Sequence, residues 1–509
     1  MVFSCKGAFM KILLVYPKYP ETFWSFKYAL KFISKKASLP PLGLLTVAAM
    51  LPVEWDLRLI DKNVKTLTDA DLCWADYVFL SAMSIQRESA ESIIMRCKAR
   101  GVKIIAGGPL FTSMPEEFPL VDHLVLNEAE ITLPLFLEDL KKGKPERIYT
   151  SPLWADITAT PIPRFDLLDK RKYASMNIQY SRGCPFECDF CNITVLYGHK
   201  PRTKGAVQIL AELEALYSQG WRAGVFIVDD NFIGNKGKLK KEVLPAIIEW
   251  MEKRKHPFTL YTEVSINLSD DPELMTLMAK AGFDQVFVGI ESPNEESLAE
   301  CSKRQNRNRD LIACVRKIQQ AGLEVQAGFI VGFDKDPATI FDRLIGFIQE
   351  SGIVTAMVGL LNAPHGTKLY QRMKEEGRLT KSATGDNTDF SINFVPKMST
   401  ETLVNGYRTI LKTIYSPKHY YARVKKFLEE YRPARTRKLR LPFTHLMAVM
   451  KSMIRLGIVG RERYHYWKLF FWSLFRRPRL LPLAITLSIY GFHFRKVFRH
   501  HEKLRSQGI

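Results

Sequence analysis

The 509-residue sequence has few cysteines, no recognisable secretion signal and no repeats, and each absence excludes a class of protein. Eight cysteines are too few for a small secreted scaffold held by disulfides. The longest charge-free stretch of the C-terminal region, residues 480–494, is shorter than the roughly 20 residues of a membrane-spanning helix. We therefore predict a cytoplasmic protein with reduced thiols, and Met10 is an alternative start to Met1.

The net charge of +21 lies almost entirely in the C-terminal part of the chain. Residues 417–509 hold 22 Lys and Arg against 4 Asp and Glu, whereas residues 1–416 hold 52 against 49. Such asymmetry is typical of a segment that contacts an anionic surface, either a membrane or a nucleic acid. The hydrophobic content of 46% and the charged content of 25% are those of a globular protein.

Two series of alternating strand-like and helix-like segments predict an α/β protein. In residues 10–140 the strand-like segments are 11–17, 56–61, 76–83, 102–109 and 123–129. This pattern predicts a doubly wound, Rossmann-like sheet that binds ligands at the carboxyl ends of its strands. Residues 141–173 are rich in charge and proline, which predicts a linker.

Residues 174–400 repeat the alternation, with strand-like segments at 174–181, 224–232, 258–266, 285–292, 324–333 and 353–362. Six such units predict a partial (β/α)6 barrel of the TIM type, with its chemistry at the carboxyl ends of the strands. Residues 401–509 lose this rhythm and predict a basic helical region.

Cys184, Cys188 and Cys191 form a C-x3-C-x2-C cluster in RGCPFECDFCNI, directly after the first strand of the predicted barrel. Thiolates are soft ligands that suit iron–sulfur clusters or zinc. Three ligands leave one iron of a cubane cluster open to an external ligand. A zinc site completed by His199, or three merely structural cysteines, are the alternatives.

This loop, with Phe190 before its last cysteine, resembles the hallmark of the radical S-adenosylmethionine superfamily. The resemblance implies a 4Fe-4S cluster on the three cysteines, S-adenosylmethionine on the open iron, and reductive cleavage to a 5′-deoxyadenosyl radical. It implies an external electron donor such as flavodoxin or ferredoxin.

Candidate contacts of S-adenosylmethionine follow the strand ends, where carboxylates suit its ammonium group and ribose hydroxyls. The superfamily's usual Gly-Gly-Glu is replaced here by VDDNF, and some of these acids could instead cap helices. The candidates are Phe190, Asp229, Asp230, Glu263, Glu291, Ser292 and Gly332.

The first domain resembles the cobalamin-binding domain fused to many radical S-adenosylmethionine methylases, through residues 40–51, 106–109 and 127–130. Gly107 and Gly108 are the candidate cobalamin contacts, because glycine lets backbone approach the cofactor closely. The cobalt-ligating His of D-x-H-x-x-G has no counterpart in Asp61–Lys65, so ligation of the lower face by His is not expected. A domain that binds nothing is the alternative.

Together these features resemble most closely the cobalamin-dependent class B methylases. Within that class, the segments YPKYPETFWSFKYAL and CNITVLYGHKPRTK and the basic tail are similar to the hopanoid C-2 methylase group and its uncharacterised relatives. The resemblance implies methyl transfer to an unactivated carbon of an apolar, isoprenoid or hopanoid lipid. Two alternatives remain: a cobalamin-fused enzyme that cyclises or oxidises its substrate, and a cobalamin-binding sensor or membrane-docked binding protein.

The basic tail mixes Lys and Arg with Trp, Phe and Leu at residues 445–460 and 464–483. This composition is typical of interfacial helices on anionic lipid, which predicts a peripheral position on the inner face of the membrane. A helical cap on the barrel and a nucleic-acid surface are the alternatives, and the aliphatic content disfavours nucleic acid.

Overall fold

The computed structural model describes residues 9–386, 388–433 and 443–506. Met1 and the basic residues 434–442 of the predicted tail lie outside this part of the chain. The predicted α/β class is confirmed, since two six-stranded sheets with exclusively parallel neighbours form the framework.

The first sheet has the strand order β2-β1-β3-β4-β5-β6. Its strands are β1 (Lys11–Tyr16), β2 (Asp56–Asp61), β3 (Tyr77–Ser81), β4 (Lys103–Gly107), β5 (His123–Val125) and β6 (Ile148–Tyr149). Its helices are α1 (Lys27–Leu30), α2 (Leu42–Met50), α3 (Asp69–Trp74), α4 (Arg87–Lys98), α5 (Pro109–Ser113) and α6 (Ala129–Lys141). The edge strand β6 lies within residues 141–173, which the sequence predicts as a linker.

The strands of the first sheet are apolar along most of their length, because both faces of the sheet are covered. Leu13 and Ile104 belong to a hydrophobic cluster on one face, and Ile12 and Ile105 belong to a cluster on the other. A parallel sheet covered by helices on both sides has nearly continuous apolar strands, which explains why five of them are evident in the sequence.

The second sheet has the order β14-β13-β12-β11-β10-β7, and a short antiparallel pair, β8 with β9, lies beside it. Its strands are β7 (Ser175–Ile178), β8 (Ser181–Arg182), β9 (Arg202–Thr203), β10 (Gly224–Ile227), β11 (Thr259–Val264), β12 (Phe283–Glu291), β13 (Glu324–Val331) and β14 (Ala356–Leu360). Its helices are α7 (Ile193–Tyr197), α8 (Ala206–Ser218), α9 (Lys236–Lys238), α10 (Leu244–Lys253), α11 (Pro272–Ala281), α12 (Glu295–Glu300), α13 (Leu311–Gln320), α14 (Ile340–Ser351) and α15 (Lys368–Glu375). No ladder joins β14 to β7 among the described strands, so the barrel is open on one side.

The segment 17–40, between β1 and α2, covers part of the open side. Ala37 forms a parallel bridge with Tyr173 at the start of β7. Phe23 is 1% exposed and stacks on Phe494 with ring centroids 4.1 Å apart. The first and last parts of the chain therefore close the barrel together.

The C-terminal region is helical, as predicted, with α16 (Thr400–Ile414), α17 (Pro417–Glu430), α18 (Phe443–Ser452), α19 (Arg463–Arg476) and α20 (Leu481–Ser506). The hydroxyls of Tyr407 and Tyr415 donate to carbonyls of β14, which fixes α16 against the barrel. Leu487 and Phe494 of α20 are fully buried, so residues 480–494 belong to a core helix. Across the described residues, no helix combines the length and apolarity needed to cross a membrane.

Candidate active site

The cysteine loop is held at its base by the β8–β9 pair, which joins Arg182 to Arg202. Gly183 has a φ of +90°, and a Cβ at this position would lie 2.9 Å from the carbonyl oxygen of Lys200. Only glycine fits this close, left-handed turn. The N–H of Cys184 donates to the carbonyl of Gly198 at 3.3 Å, which folds the loop back on α7.

The three thiols of the loop are partly buried and lie near one another. Burial, and to a lesser degree the charge of Cys188, raises the pKa of Cys184 and raises that of Cys191 to about 12. Within the described ranges, no three His, Cys, Asp or Glu side chains are placed to hold a single metal ion. Three thiols on one loop are a donor set that fits a cubane cluster, because its irons take thiolate ligands.

A second loop, residues 301–306, packs against the cysteine loop. The Nζ of Lys303 lies 2.7 Å from Oε1 of Glu291, and both side chains are about nine-tenths buried. The amide of Gln305 approaches Sγ of Cys188 at 3.8 Å, and the carbonyl of Cys301 accepts from the N–H of Asp189. Nothing in the sequence singles out Lys303, yet it places a buried positive charge beside the thiols.

Two acids at the strand ends remain unpaired. Asp230 follows β10 and Glu263 lies in the adjacent β11, and neither forms an ion pair with any side chain that the structure describes. Burial, with the charge of Asp229, raises the pKa of Asp230 to about 7. Burial, with the charges of both aspartates, raises the pKa of Glu263 to about 8. Such carboxyls can accept a cationic group that restores their ionised form.

Asp229 has a different environment from its neighbour. Its two carboxylate oxygens accept from the N–H of Tyr180 at 2.8 Å and from the hydroxyl of Ser181 at 2.6 Å. Asp229 is 1% exposed, and burial raises its pKa to about 6 despite these hydrogen bonds. It therefore orients the segment that leads into the cysteine loop.

The other predicted contacts of S-adenosylmethionine have protein partners. Ser292 is fully buried and accepts from the N–H of Asn294, so it shapes the turn before α12. The N–H of Gly332 donates to Asp336 at 2.8 Å. Phe190 lies in a hydrophobic cluster with Phe333, at 6.3 Å between ring centroids. Contact of these residues with S-adenosylmethionine stays a prediction.

The carboxyl edge of the first sheet contains Gly107 and Gly108. A Cβ on Gly107 would lie 2.6 Å from the carbonyl oxygen of Val125, and a Cβ on Gly108 would lie 2.7 Å from Oγ of Ser81. Both glycines are thus required for the packing of the sheet itself. Their contact with cobalamin stays a prediction.

Asp61, the first residue of the stretch that has no counterpart of the D-x-H-x-x-G histidine, is 4% exposed and lies at the end of β2. Its carboxylate accepts from the hydroxyl of Tyr173 at 3.0 Å and from Asn63, so it joins the first domain to the start of the barrel. His123 is the only histidine in residues 1–150, and its Nδ1 contacts the carbonyl of Glu146 at the opposite end of β5. His123 therefore lies away from the carboxyl edge that contains Gly107 and Gly108.

A buried ion-pair network joins the same edge to the cysteine loop. Glu128 and Glu130, in the NEAE segment, pair with Arg182 at 3.1 Å and 2.7 Å, and Glu128 also pairs with Arg202 at 2.7 Å. Burial alone would raise the pKa of Glu130, but Arg182 outweighs it and lowers that pKa to about 2. Loss of one partner of such a buried pair costs about 3–5 kcal/mol, so the network fixes the loop relative to the first domain.

Comparison with known proteins assigns families to three parts of the chain. The family profile of the radical S-adenosylmethionine superfamily matches residues 178–348, and that of the B12 binding domain matches residues 32–137. A profile described only as a domain of unknown function, DUF4070, matches residues 367–506.

Two relatives cover nearly the whole chain. An uncharacterised methyltransferase of Synechocystis sp. is 42% identical over 490 residues, which is 95% of this chain and 91% of the relative. The hopanoid C-2 methylase of Rhodopseudomonas palustris is 33% identical over 516 residues, which is 98% of this chain and 96% of the relative.

Two solved structures share the fold. The cobalamin-dependent S-adenosylmethionine radical enzyme OxsB, with aqua-cobalamin bound, covers 98% of this chain and 81% of its own at a TM-score of 0.61 and 14% identity. The radical methyltransferase TsrM of Kitasatospora setae, with cobalamin and a 4Fe-4S cluster bound, covers 98% of this chain and 100% of its own at a TM-score of 0.58 and 14% identity.

Replacement of Cys184, Cys188 or Cys191 by Ala should abolish cluster assembly, because each thiolate is predicted to hold a different iron. Iron content and the brown absorbance after anaerobic reconstitution should both collapse, together with 5′-deoxyadenosine formation. The matched control is Cys73→Ala, which removes an exposed free thiol elsewhere. An alanine variant of the loop that keeps full activity would contradict the assignment.

Affinity for S-adenosylmethionine should rise by about tenfold between pH 6 and pH 8. Asp230 and Glu263, with pKa values of about 7 and 8, are largely neutral at pH 6 and become ionised as the pH rises. Only the ionised form attracts the ligand's ammonium group.

Equilibrium binding to the reconstituted protein tests this pH dependence. Glu263→Gln should weaken binding at pH 8 and leave binding at pH 6 almost unchanged. A wild-type affinity that does not change with pH, or an unchanged slope in the variant, would refute the role of these carboxylates.

Proposed function

We propose that this chain, which belongs to the cobalamin-dependent radical S-adenosylmethionine methylases, transfers a methyl group to an unactivated carbon of an isoprenoid or hopanoid lipid. The observation that carries the lipid class is the 33% identity to a hopanoid C-2 methylase across 98% of this chain, C-terminal region included. Relatives named as methyltransferases favour methyl transfer over the cyclising and binding-protein alternatives.

The cofactors are a 4Fe-4S cluster, S-adenosylmethionine and cobalamin. When bound, they supply the electron that generates the radical, the radical itself and the transferable methyl group. In this proposal Cys184, Cys188 and Cys191 hold the cluster, and the carboxyl edge of the first sheet, at 107–108, holds cobalamin. An external donor of the flavodoxin or ferredoxin kind supplies electrons.

The residues of the chain would bind, orient and shield these cofactors. Asp230 and Glu263 would hold the ammonium group or ribose hydroxyls of S-adenosylmethionine at the strand ends. Lys303 would place its charge beside the thiolates, and Glu291 would keep the ammonium group of Lys303 oriented. Arg182 would maintain the distance between the cysteine loop and the cobalamin edge through its two glutamate partners.

Anaerobic turnover with methyl-deuterated S-adenosylmethionine and a pentacyclic hopene should give a lipid that carries the labelled methyl group. Mass spectrometry of the extracted lipid and quantification of 5′-deoxyadenosine provide the two readouts. Cys188→Ala serves as the inactive control. Formation of 5′-deoxyadenosine without any methylated lipid, across a panel of hopanoids, would reject the proposed substrate class.

The same proposal includes a membrane-facing surface on α18, the π-helical turn 453–458 and α19. Large apolar side chains on these elements, and at Val459 directly after the turn, are 37–77% exposed. They are Leu446, Met450, Ile454, Ile458, Val459, Tyr464, Phe471, Leu474 and Phe475. Beside them, Arg463 and Lys468 line a groove of about 410 Å³ together with Trp467. Apolar side chains next to basic groups suit an anionic lipid surface.

The membrane surface predicts salt-sensitive binding to vesicles of phosphatidylglycerol and little binding to phosphatidylcholine alone. The double variant Phe471→Asp/Phe475→Asp should reduce the bound fraction by about tenfold, because it removes exposed apolar area and adds negative charge. Val207→Asp, at a side chain that is 84% exposed on α8, is the matched control. Equal sedimentation of all three proteins with anionic vesicles would rule out this surface.

A further inference from the structure

The side chains inside the open barrel do not fill its interior completely. On β10 to β13, alternate residues pack outward into the core with the helices, for example Val225, Leu260 and Val288. Their neighbours point inward and remain partly exposed, among them Phe226 and Phe287. A closed barrel of this type fills its interior with layers of side chains, so partial exposure at inward positions indicates an unfilled chamber.

Trp24, from the segment 17–40, enters this interior through the open side. Its Nε1–H donates to Sδ of Met357 at 2.9 Å, and its ring meets Phe287 edge-on at 5.5 Å. Trp24 is nevertheless 37% exposed, so one face of the indole borders open space. The adjacent strands β10 and β11 contribute Phe226 and Tyr261, which stack at 4.9 Å with an angle of 13° between their planes.

Gly328 on β13 leaves room for the side chains beside it. A Cβ on Gly328 would lie 2.9 Å from Cζ of Phe287 and 3.7 Å from Cε of Met357. A methyl group there would displace the Phe287 ring, since close-packed groups must shift when volume is added. The space beside Phe287 and Met357 therefore depends on the absence of a side chain at residue 328.

Polar side chains share the layer of Phe226 and Tyr261, because the strand register aligns these rings with Asn177, Gln285 and Glu324. Glu324, at the start of β13, accepts from Gln285, and Gln285 accepts from Gln326, each at 3.4 Å. Glu324 is 2% exposed and Asn177 is 5% exposed, yet Oε1 of the former and Oδ1 of the latter have no hydrogen-bond partner in the described part of the chain. Buried polar atoms without partners are uncommon, and they suit a hydroxyl group of a bound molecule.

We infer that this interior is the substrate chamber, that Trp24 forms one of its walls, and that it takes a flat, fused-ring lipid with a hydroxyl-bearing end. The inference rests on the proposed function and deepens it. The aromatic faces of Trp24, Phe226 and Tyr261 contact the rings, and Glu324 and Asn177 contact the hydroxyl end. Gly328 distinguishes fused rings from thinner acyclic chains.

Binding of a tritiated pentacyclic triterpene alcohol in detergent to the anaerobic holoenzyme tests the chamber. Trp24→Ala should weaken this binding by about tenfold, since a large aromatic contact is lost. Gly328→Ala should weaken binding of the pentacyclic alcohol by a similar factor. It should weaken binding of the acyclic alcohol phytol by less than twofold. Iron content and the brown absorbance of both variants after anaerobic reconstitution, compared with wild type, show whether the fold and the cluster are intact.

The matched control is Trp74→Ala, which removes a tryptophan stacked on Arg58 in the first domain, away from the barrel interior. It should bind the pentacyclic alcohol as wild type does. If Trp24→Ala and Gly328→Ala also bind the pentacyclic alcohol normally, the chamber is overturned, even where wild type methylates the lipid. If the variants show the expected losses while wild type never methylates the lipid, the chamber stands and the proposed reaction fails. If wild type binds no pentacyclic alcohol, both proposals fail.

Discussion

The open side of the second sheet is the constraint on which the remaining architecture depends. Among the described strands β14 bonds only to β13 and β7 only to β10, so the sheet interior and two strand edges need cover. The segment 17–40, helix α20 and the carboxyl edge of the first sheet provide it. The cysteine loop and the unpaired carboxylates consequently lie where both domains meet, which suits chemistry that must exclude water.

Buried charge helps to set the relation between the two domains at this place. Arg182 lies two residues before Cys184 and pairs with Glu128 and Glu130 of the first domain. Lys303 and Glu291 form a second buried pair directly beside the thiols. Because an unpaired buried charge is costly, each pair holds its loop in one position. A radical enzyme needs that rigidity, since its cofactors must stay at a constant separation.

Much of this framework could be predicted from residues 11–362, and particular elements show where prediction ends. Strands such as β1 and β13 are buried on both sides or alternate regularly between buried and partly exposed residues. Their hydrophobic patterns in the sequence are therefore easy to recognise. Strands β6, β8 and β9 have two residues each, which is too short for any period. At the strand ends, the sequence cannot distinguish Asp229, which holds Tyr180 and Ser181, from Asp230, which has no ion-pair partner among the described residues. Adjacent residues of one type differ there only through their neighbours in space.

By itself the sequence determined the chemistry that depends on local spacing: three thiols within eight residues, two alternating α/β series and a basic helical tail. These follow from periods and motifs along the chain, where each residue's neighbours are already known. Only the tertiary structure decided that Trp24 enters the barrel, that Lys303 lies by the thiols, and that residues 480–494 form a core helix. These contacts join residues hundreds of positions apart, such as Trp24 and Met357, and no local pattern encodes such a meeting.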